Sequence, residues 1–146
     1  MHKPSLRERG RGLFEAKSVP TKRLLLIEDE DRLRKNLEIL LGRAGYAVTT
    51  AATGHAGVQY LHAMTFDAVI TDLVMDGFEG LQLLECVTTH ASGVQVIVIT
   101  GYASTYSATD ALRRGAHGYV AKPFDFGVLK AAIENTLKPS AARLPL

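Results

Sequence analysis

Along the chain from residue 23, short apolar runs alternate with segments in which apolar residues recur every three or four positions. Short apolar runs are typical of buried strands, and the longer period is typical of helices with one apolar face. The pattern therefore predicts five strands in alternation with five helices. The strands are expected at residues 23–27, 46–50, 67–71, 94–100 and 117–121.

Each predicted strand is followed by a predicted helix, and several helix ends carry clear signals. The helices are expected at residues 31–44, 54–63, 79–90, 104–114 and 125–137. Asp31, Thr53 and Asp125 are candidate N-caps, because their side chains can accept a hydrogen bond from the first helical turn. Gly45 and Gly115 are expected to end the first and fourth helices, as glycine commonly does.

This alternation predicts an α/β fold with a single open sheet. Strands that are apolar nearly throughout imply a parallel sheet covered by helices on both faces. Five strand–helix units are too few for an eight-stranded barrel, which leaves a doubly wound five-stranded parallel sheet with five helices. Right-handed crossovers place the carboxyl ends of all five strands at one edge, where such folds bind ligands.

Composition is that of one ordinary globular domain. The chain has 146 residues, of which 47% are apolar and 22% are charged, close to the average for such domains. This excludes a disordered tail protein, a collagen-like fibre and a disulfide-stabilised miniprotein. Cys86 is the only cysteine, so an intrachain disulfide and a cysteine-built zinc site are excluded, and one thiol suits the cytoplasm. The apolar runs are too short to span a membrane.

Charge is distributed unevenly along the chain. Residues 1–23 carry seven basic and two acidic side chains, whereas residues 24–146 carry ten and thirteen. Residues 1–21 also contain glycine and proline without an apolar period, so we expect a disordered basic leader. It is either a solvated tail or a contact for nucleic acid or anionic lipid. Residues 22–138 form the predicted domain, and residues 139–146 form a tail or the start of a linker.

Polar side chains stand at the ends of four of the five predicted strands. Three carboxylates gathered at one edge would repel one another unless a cation compensated them. Mg²⁺ is the natural compensator, since it takes oxygen ligands from carboxylates together with phosphate. The residues concerned are Glu28 and Asp29 after the first strand, Asp72 after the third, Thr100 at the end of the fourth and Lys122 after the fifth.

The same residues indicate a chemistry. Lys122 offers a compact positive charge, and Thr100 offers a hydroxyl donor, for the oxygens of a phosphoryl group. The chain has neither a glycine-rich phosphate loop nor a Ser/His/Asp arrangement. The set is typical of a site that holds a phosphoryl group on a carboxylate, with Asp72 as nucleophile and with Mg²⁺ and Lys122 neutralising the phosphoryl oxygens.

Four motifs, in order and at the spacing of strand–helix units, resemble the receiver domain of response regulators in two-component signalling. The resemblance covers residues 22–138 and implies a flavodoxin-like fold, like that of the chemotaxis regulator, with strand order 2-1-3-4-5. The motifs are Leu25-Leu26-Ile27-Glu28-Asp29-Glu30, Ile70-Thr71-Asp72-Leu73-Val74-Met75, Ile99-Thr100-Gly101 and Tyr119-Val120-Ala121-Lys122-Pro123-Phe124.

The resemblance implies a role for each residue of the expected site. Asp72 is the expected phosphoacceptor, and Lys122 and Thr100 are expected to contact the phosphoryl oxygens. The expected cofactor is Mg²⁺, with Mn²⁺ as a substitute. The implied metal ligands are Asp29, Asp72, the backbone carbonyl of Val74 and, mainly through water, Glu28.

Two further features belong to the implied switch. Tyr119, three residues before the lysine, resembles the aromatic whose ring turns inward as Thr100 moves, with plain packing as the alternative for this residue. The Lys122–Pro123 bond is expected to be cis, which would aim the lysine into the site. Phosphorylation is then expected to change the face built from residues 104–114, 117–121 and 125–137.

The implied partners are a sensor histidine kinase or a phosphotransfer protein that supplies the phosphoryl group. The changed face is expected to bind an output domain, a downstream protein or a second copy of the chain as a homodimer. No membrane partner is expected, and nucleic acid is not expected to contact this domain itself, although the output can be transcriptional. Whether the domain stands alone or belongs to a longer chain is left open. We expect no enzyme activity beyond its own phosphorylation and dephosphorylation.

The chain departs from the family pattern in the loop after Asp72. Asp76 stands where the family often has proline, and Gly77 follows it, which predicts a more flexible loop with an added negative charge. Val74 and Tyr102 lie at positions that tune the phosphoryl lifetime in the family. Neither side chain can activate water through a carboxylate or an amide, so we expect slow self-dephosphorylation.

Two other functions fit part of the pattern. A small phosphohydrolase that acts through an aspartyl-phosphate is the main alternative, but such enzymes commonly carry a second acid where this chain has Val74. A flavodoxin-like cofactor binder is the other alternative, but the acidic edge of the sheet would repel a nucleotide phosphate. Labelling of Asp72 by a small phosphodonor separates these three functions.

Overall fold

The computed structural model describes residues 21–72, 74–75, 78–79, 84–87, 93–101 and 108–138, and the structural statements below concern these residues. The predicted leader, apart from Thr21, and the predicted tail lie outside them. Residues 76–77 and 102–107 also lie outside, as does most of the third predicted helix.

The centre of the molecule is one five-stranded parallel sheet. The order of its strands is β2-β1-β3-β4-β5, and every neighbouring pair is parallel. This confirms the predicted fold class and strand order, and each strand lies within one residue of its predicted bounds. The strands are β1 (Arg23–Ile27), β2 (Ala47–Ala51), β3 (Ala68–Asp72), β4 (Gln95–Thr100) and β5 (Gly118–Ala121).

Helices follow the strands as predicted. Thr53 caps the second helix by accepting a hydrogen bond of 3.0 Å from the backbone N–H of Ala56. Asp125 caps the last helix by accepting one of 3.0 Å from Val128. Across the described residues, no helix is long and apolar enough to cross a membrane. The helices are α1 (Asp31–Arg43), α2 (Gly54–Ala63), α3 (residues 84–87), α4 (Ala108–Arg113) and α5 (Phe126–Leu137).

The start of α1 differs from the prediction. Glu30 occupies the N-cap position, and its side chain makes no capping hydrogen bond. Asp31, the predicted cap, is the first helical residue and forms an ion pair with Arg34 one turn later. The prediction of Asp31 as N-cap is therefore wrong, because its carboxylate is engaged along the helix. Gly45 follows the helix with a φ of 101°, the left-handed conformation that glycine adopts without strain.

The third predicted helix begins later than expected. Glu79 lies in a short antiparallel hairpin formed by Val74–Met75 and Phe78–Glu79, so the prediction of helix at residue 79 is wrong. Its pairing with Val74 requires an extended backbone at Glu79, which a helix excludes. The described part of this helix is residues 84–87.

Helices cover both faces of the sheet. Because side chains alternate along a strand, neighbouring residues of β1 such as Leu25 and Leu26 enter two different apolar layers. The layer of Leu25 includes Leu84 from α3 and Ala111 from α4. The layer of Leu26 includes residues of α1 and α5. Polar residues are therefore left to the edge at which the strands end.

Gly57 allows α2 to lie close against β1. A Cβ atom at this position would lie 2.9 Å from Cγ1 of Ile27, well inside ordinary contact distance. Ile27 is completely buried, so its side chain has little space into which to move. This close contact packs the carboxyl end of β1, which leads directly to the acidic residues, against α2.

Candidate functional site

The strand ends bring the predicted residues to one edge of the sheet. Glu28 follows β1, and its backbone N–H donates to the carbonyl of Ala51 at 3.0 Å, which continues the contact with β2 for one more residue. Asp72 ends β3, Thr100 ends β4, and Lys122 follows β5. Since parallel strands end at the same edge, these residues lie at one edge of the sheet, as expected.

One ammonium group joins two buried acids in this region. Lys122 Nζ lies 2.7 Å from Glu28 Oε1 and 2.7 Å from Asp72 Oδ2. The Glu28 side chain has no exposed surface, and that of Asp72 is 7% exposed. Burial of an unpaired charge is costly, so Lys122 stabilises both carboxylates. Sequence reasoning expected the lysine to contact a phosphoryl group but missed its contact with Glu28.

The backbone holds these side chains in place. The backbone N–H of Glu30 donates to Glu28 Oε2 at 3.1 Å. The backbone N–H of Lys122 donates to the carbonyl of Thr100 at 2.8 Å. The Lys122–Pro123 peptide bond is cis, which confirms that prediction. The carboxylate of Glu28 is therefore held by its own loop, and the backbone of Lys122 is held by the end of β4.

Burial and charge have opposing effects on these groups. Burial raises the pKa of the Glu28 carboxyl, and the charge of Asp72 adds to this, while hydrogen bonds from Lys122 and from the Glu30 amide oppose it only in part. Burial alone would lower the pKa of the Lys122 ammonium, but its hydrogen bonds to Asp72 and Glu28 outweigh burial and raise the pKa. Lys122 is therefore positively charged at neutral pH.

The carboxylates form a donor set that fits a hard divalent cation. Glu28, Asp29 and Asp72 each offer an oxygen, and these oxygens lie within 4.8 Å of one another. Asp29 is exposed at the rim, whereas the other two are buried. With all three acids ionised, the single ammonium of Lys122 leaves two negative charges uncompensated. Oxygen ligands and this charge suit Mg²⁺.

Val74, a predicted metal ligand through its backbone carbonyl, lies in the short hairpin after β3. It pairs with Glu79, and Met75 pairs with Phe78. Its role as a metal ligand stays a prediction.

The two predicted switch residues lie on neighbouring strands. Thr100 is completely buried at the end of β4. Tyr119, in β5, is half-buried, lies opposite Val98 in the strand register, and packs against the apolar layer that contains Leu25. Its ring is therefore in contact with the core, and its switching role stays a prediction.

Several other residues lie away from the site, and three residues named in the sequence analysis lie outside the described residues. These three are Asp76, Gly77 and Tyr102. Cys86 is half-buried. His117 has a structural role, since its Nδ1 accepts a hydrogen bond of 3.0 Å from the backbone N–H of Val96.

Arg34 is a neighbour of the site that sequence reasoning missed. Its Nη1 donates to the backbone carbonyl of Glu28 at 2.9 Å, and its Nη2 pairs with the carboxylate of Asp31. Its position in α1 carried no signal for this contact, because an arginine beside an apolar stripe is ordinarily a solvated residue.

Comparison with known proteins agrees with this geometry. A sequence model of the response regulator receiver domain matches residues 24–134, well over half of the chain. The chain belongs to the response regulator receiver domain family. It is thus the receiver domain of a two-component response regulator, a class of phosphorylation-dependent switches, and the phosphohydrolase alternative is not favoured.

Receiver domains of known proteins share sequence with this chain. The transcriptional regulatory protein GlrR of Escherichia coli (strain K12) is 36% identical over 118 residues, which make up 81% of this chain and 27% of GlrR. The chain therefore spans about a quarter of the length of that relative.

Solved response regulators also share the receiver fold. The response regulator TrrA of Thermotoga maritima, in complex with Mg²⁺ and BeF, is 28% identical with a TM-score of 0.72, over 80% of this chain and 99% of that chain. A response regulator of Burkholderia pseudomallei, with a phosphorylated aspartic acid, calcium ion and citrate, is 30% identical with a TM-score of 0.72. That match covers 83% of this chain and 69% of the other.

Proposed function

We propose that this receiver domain takes a phosphoryl group from a phosphohistidine of a sensor histidine kinase or phosphotransfer protein onto Asp72. The observation that supports this most strongly is the 2.7 Å pairing of Asp72 with Lys122 beside the carboxylates of Glu28 and Asp29. The phosphorylated aspartic acid in the response regulator of Burkholderia pseudomallei supports the same modification here.

The chain's own residues account for the transfer. A carboxylate oxygen of Asp72 attacks the phosphorus, and the P–N bond breaks with its electron pair passing to the donor imidazole. Lys122 lies beside Asp72 and neutralises charge on the phosphoryl oxygens, and Thr100 offers a hydroxyl donor to them. The burial of Asp72 limits the access of bulk water to the acyl phosphate.

We assign Mg²⁺ as the cofactor, with Mn²⁺ as a substitute. Asp29, Asp72 and the carbonyl of Val74 are the proposed direct ligands, and Glu28 contributes mainly through water. When bound, the ion supplies positive charge that offsets the charge of the phosphoryl oxygens. The complex of TrrA with Mg²⁺ and BeF supports this assignment.

Phosphorylation is proposed to move Thr100 and to turn Tyr119 inward. This changes the face built from residues 104–114, 117–121 and 125–137, which then binds an output domain, a downstream protein or a second copy of the chain. Since GlrR is a transcriptional regulatory protein, the proposed output is control of transcription, in the cytoplasm.

The lifetime of the phosphoryl group is proposed to be long. Val74 and Tyr102 stand at the two positions that tune this lifetime, and neither carries a carboxylate or amide that could activate water. Self-dephosphorylation is then the only hydrolytic step of the domain. A half-life of seconds for the phosphorylated chain in Mg²⁺ would contradict this.

Labelling with a small phosphodonor tests the proposal. The purified chain is incubated with acetyl phosphate and Mg²⁺, and its mass and phosphorylated peptide are determined. We expect one hydroxylamine-labile phosphate on Asp72, no labelling of Asp72→Ala, and normal labelling of Glu38→Gln, which removes an exposed acid from α1. Equal labelling of wild type and Asp72→Ala would contradict the assignment.

A further inference from the structure

We propose that Arg34 is a positioning residue that holds the loop of Glu28 and Asp29 in the geometry needed to bind the metal ion. This inference rests on the proposed Mg²⁺ site and adds to it a residue that is not a ligand. The supporting observation is that the half-buried guanidinium of Arg34 contacts both ends of the loop, at Glu28 and at Asp31.

The guanidinium of Arg34 joins the two ends of the segment 28–31. Its Nη1 donates to the backbone carbonyl of Glu28 at 2.9 Å, and its Nη2 pairs with the carboxylate of Asp31. The backbone N–H of Arg34 also donates to the carbonyl of Glu30 at 2.9 Å. This last bond is the ordinary backbone bond of the first helical turn, which most residues at this position would make. The two side-chain contacts depend on the arginine, and they join the ends of the segment in which Asp29 lies.

The position of Asp29 depends on its backbone more than that of Glu28 does. The Glu28 carboxylate is held by Lys122 and by the amide of Glu30. Among the described residues, no hydrogen bond holds the carboxylate of Asp29, which is exposed. A shift of the loop therefore moves Asp29 without resistance from its own side chain, and Arg34 opposes that shift.

An arginine is better suited to this role than a lysine. The planar guanidinium donates from two separate nitrogens, here Nη1 to the carbonyl of Glu28 and Nη2 to Asp31, whereas a lysine would have to reach both groups with one nitrogen on a flexible stem. The Arg34 side chain is 14% exposed, so its bond to the carbonyl of Glu28 is partly shielded from water. The carboxylate of Asp31 is 75% exposed, so its ion pair with Arg34 contributes little by itself, and the bond to Glu28 is the stronger of the two contacts. Both arms of the fork are used.

Positioning and charge predict opposite effects on metal binding. A positive charge near the site repels Mg²⁺, so its removal by itself would tighten binding. Loss of a residue that orients a metal ligand typically weakens binding by about 10- to 100-fold. The direction of the change on removing Arg34 therefore distinguishes the two effects.

The test compares Mg²⁺ affinity in variants of the full chain, measured by calorimetric titration of the metal-free protein. For Arg34→Gln we expect binding about tenfold weaker than wild type. Arg34→Lys, which keeps the charge, is expected to recover only part of this loss. Arg32→Gln removes the same charge from an exposed neighbour on α1 and is expected to bind at least as tightly as wild type.

Amide hydrogen exchange supplies a readout that charge alone would not move. We expect faster exchange at the amide of Glu30 in Arg34→Gln, with no change in the strands, because the loop opens while the sheet stays intact. Wild-type affinity in Arg34→Gln, or full recovery in Arg34→Lys, would overturn the positioning role. If wild type and Asp29→Asn both fail to bind Mg²⁺, the proposed metal site is itself wrong. That result is distinguishable from one in which wild type binds Mg²⁺ and only the positioning role of Arg34 is overturned.

Discussion

Replacement of Lys122 by methionine tests how the buried acids are stabilised. The substitution removes the ammonium that lies 2.7 Å from Glu28 and from Asp72 and keeps most of the apolar stem. Removal of one partner from a buried ion pair costs about 3–5 kcal/mol. Because the Lys122 side chain is 21% exposed, water reaches its end, and we expect the lower value, about 3 kcal/mol of unfolding free energy.

The loss is expected to depend on pH. Without Lys122, the pKa of Glu28 loses the hydrogen bond that lowers it and rises further. A carboxyl whose folded pKa lies above its unfolded value favours the folded state less as pH rises. The loss of unfolding free energy in Lys122→Met is therefore smallest below the ordinary glutamate pKa of 4.5 and largest near neutral pH.

Urea unfolding, followed by circular dichroism without divalent cations from pH 4 to pH 8, measures this effect. Lys130→Met is the matched control, since the Lys130 side chain is 46% exposed and 3.7 Å from Glu134. An exposed pair of this kind is worth about 0.5 kcal/mol or less. If Lys122→Met lost no more stability than this control at pH 7, the account of Lys122 as the partner of two buried acids would be refuted.

Three further predictions concern the fold and its electrostatics. Gly42→Ala, where a Cβ meets nothing within 4 Å, is expected to raise the unfolding free energy by about 0.5–1 kcal/mol. Gly57→Ala is expected to have an unfolding free energy about 1–3 kcal/mol lower than that of Gly42→Ala, because the added Cβ meets Ile27. Equal unfolding free energies of the two variants in urea would refute the close packing of α2. His117→Ala is expected to lower the unfolding free energy by about 1 kcal/mol, because the hydrogen bond from the Val96 amide is lost. His117→Asn, whose amide oxygen can accept the same bond, is expected to lose less. Thermal unfolding of both variants measures the difference. In the wild-type chain, the raised pKa of Glu28 predicts that ionisation of this carboxyl lowers the unfolding free energy as pH rises above 4.5. The slope is at most about 1.4 kcal/mol per pH unit, and Glu28→Gln is expected to lack this pH dependence.

The convergence of the acids and the lysine was predictable because it depends on two general properties of the fold. Glu28, Asp72 and Lys122 each directly follow an apolar run, and parallel strands with right-handed crossovers end at one edge. No knowledge of side-chain contacts is needed for that inference. The apolar runs are also long enough to place every strand to within one residue.

The contacts that were missed depend on geometry finer than the sequence pattern. The approach of Arg34 to the carbonyl of Glu28 follows from the path of the loop into α1, and no period in the sequence encodes that path. Asp31 was predicted as an N-cap from its residue type, but its carboxylate forms an ion pair with Arg34. The hairpin that contains Glu79 consists of strands of two residues each, which are too short to show the alternating pattern by which a strand is predicted.

A crystal structure of the full chain with Mg²⁺ and beryllofluoride tests the central claim most directly. The account predicts beryllofluoride on the carboxylate of Asp72, Lys122 and Thr100 on its fluorides, and Mg²⁺ bound to Asp29, Asp72 and the carbonyl of Val74. An ion bound elsewhere on the molecule, or beryllofluoride on a different acid, would contradict it.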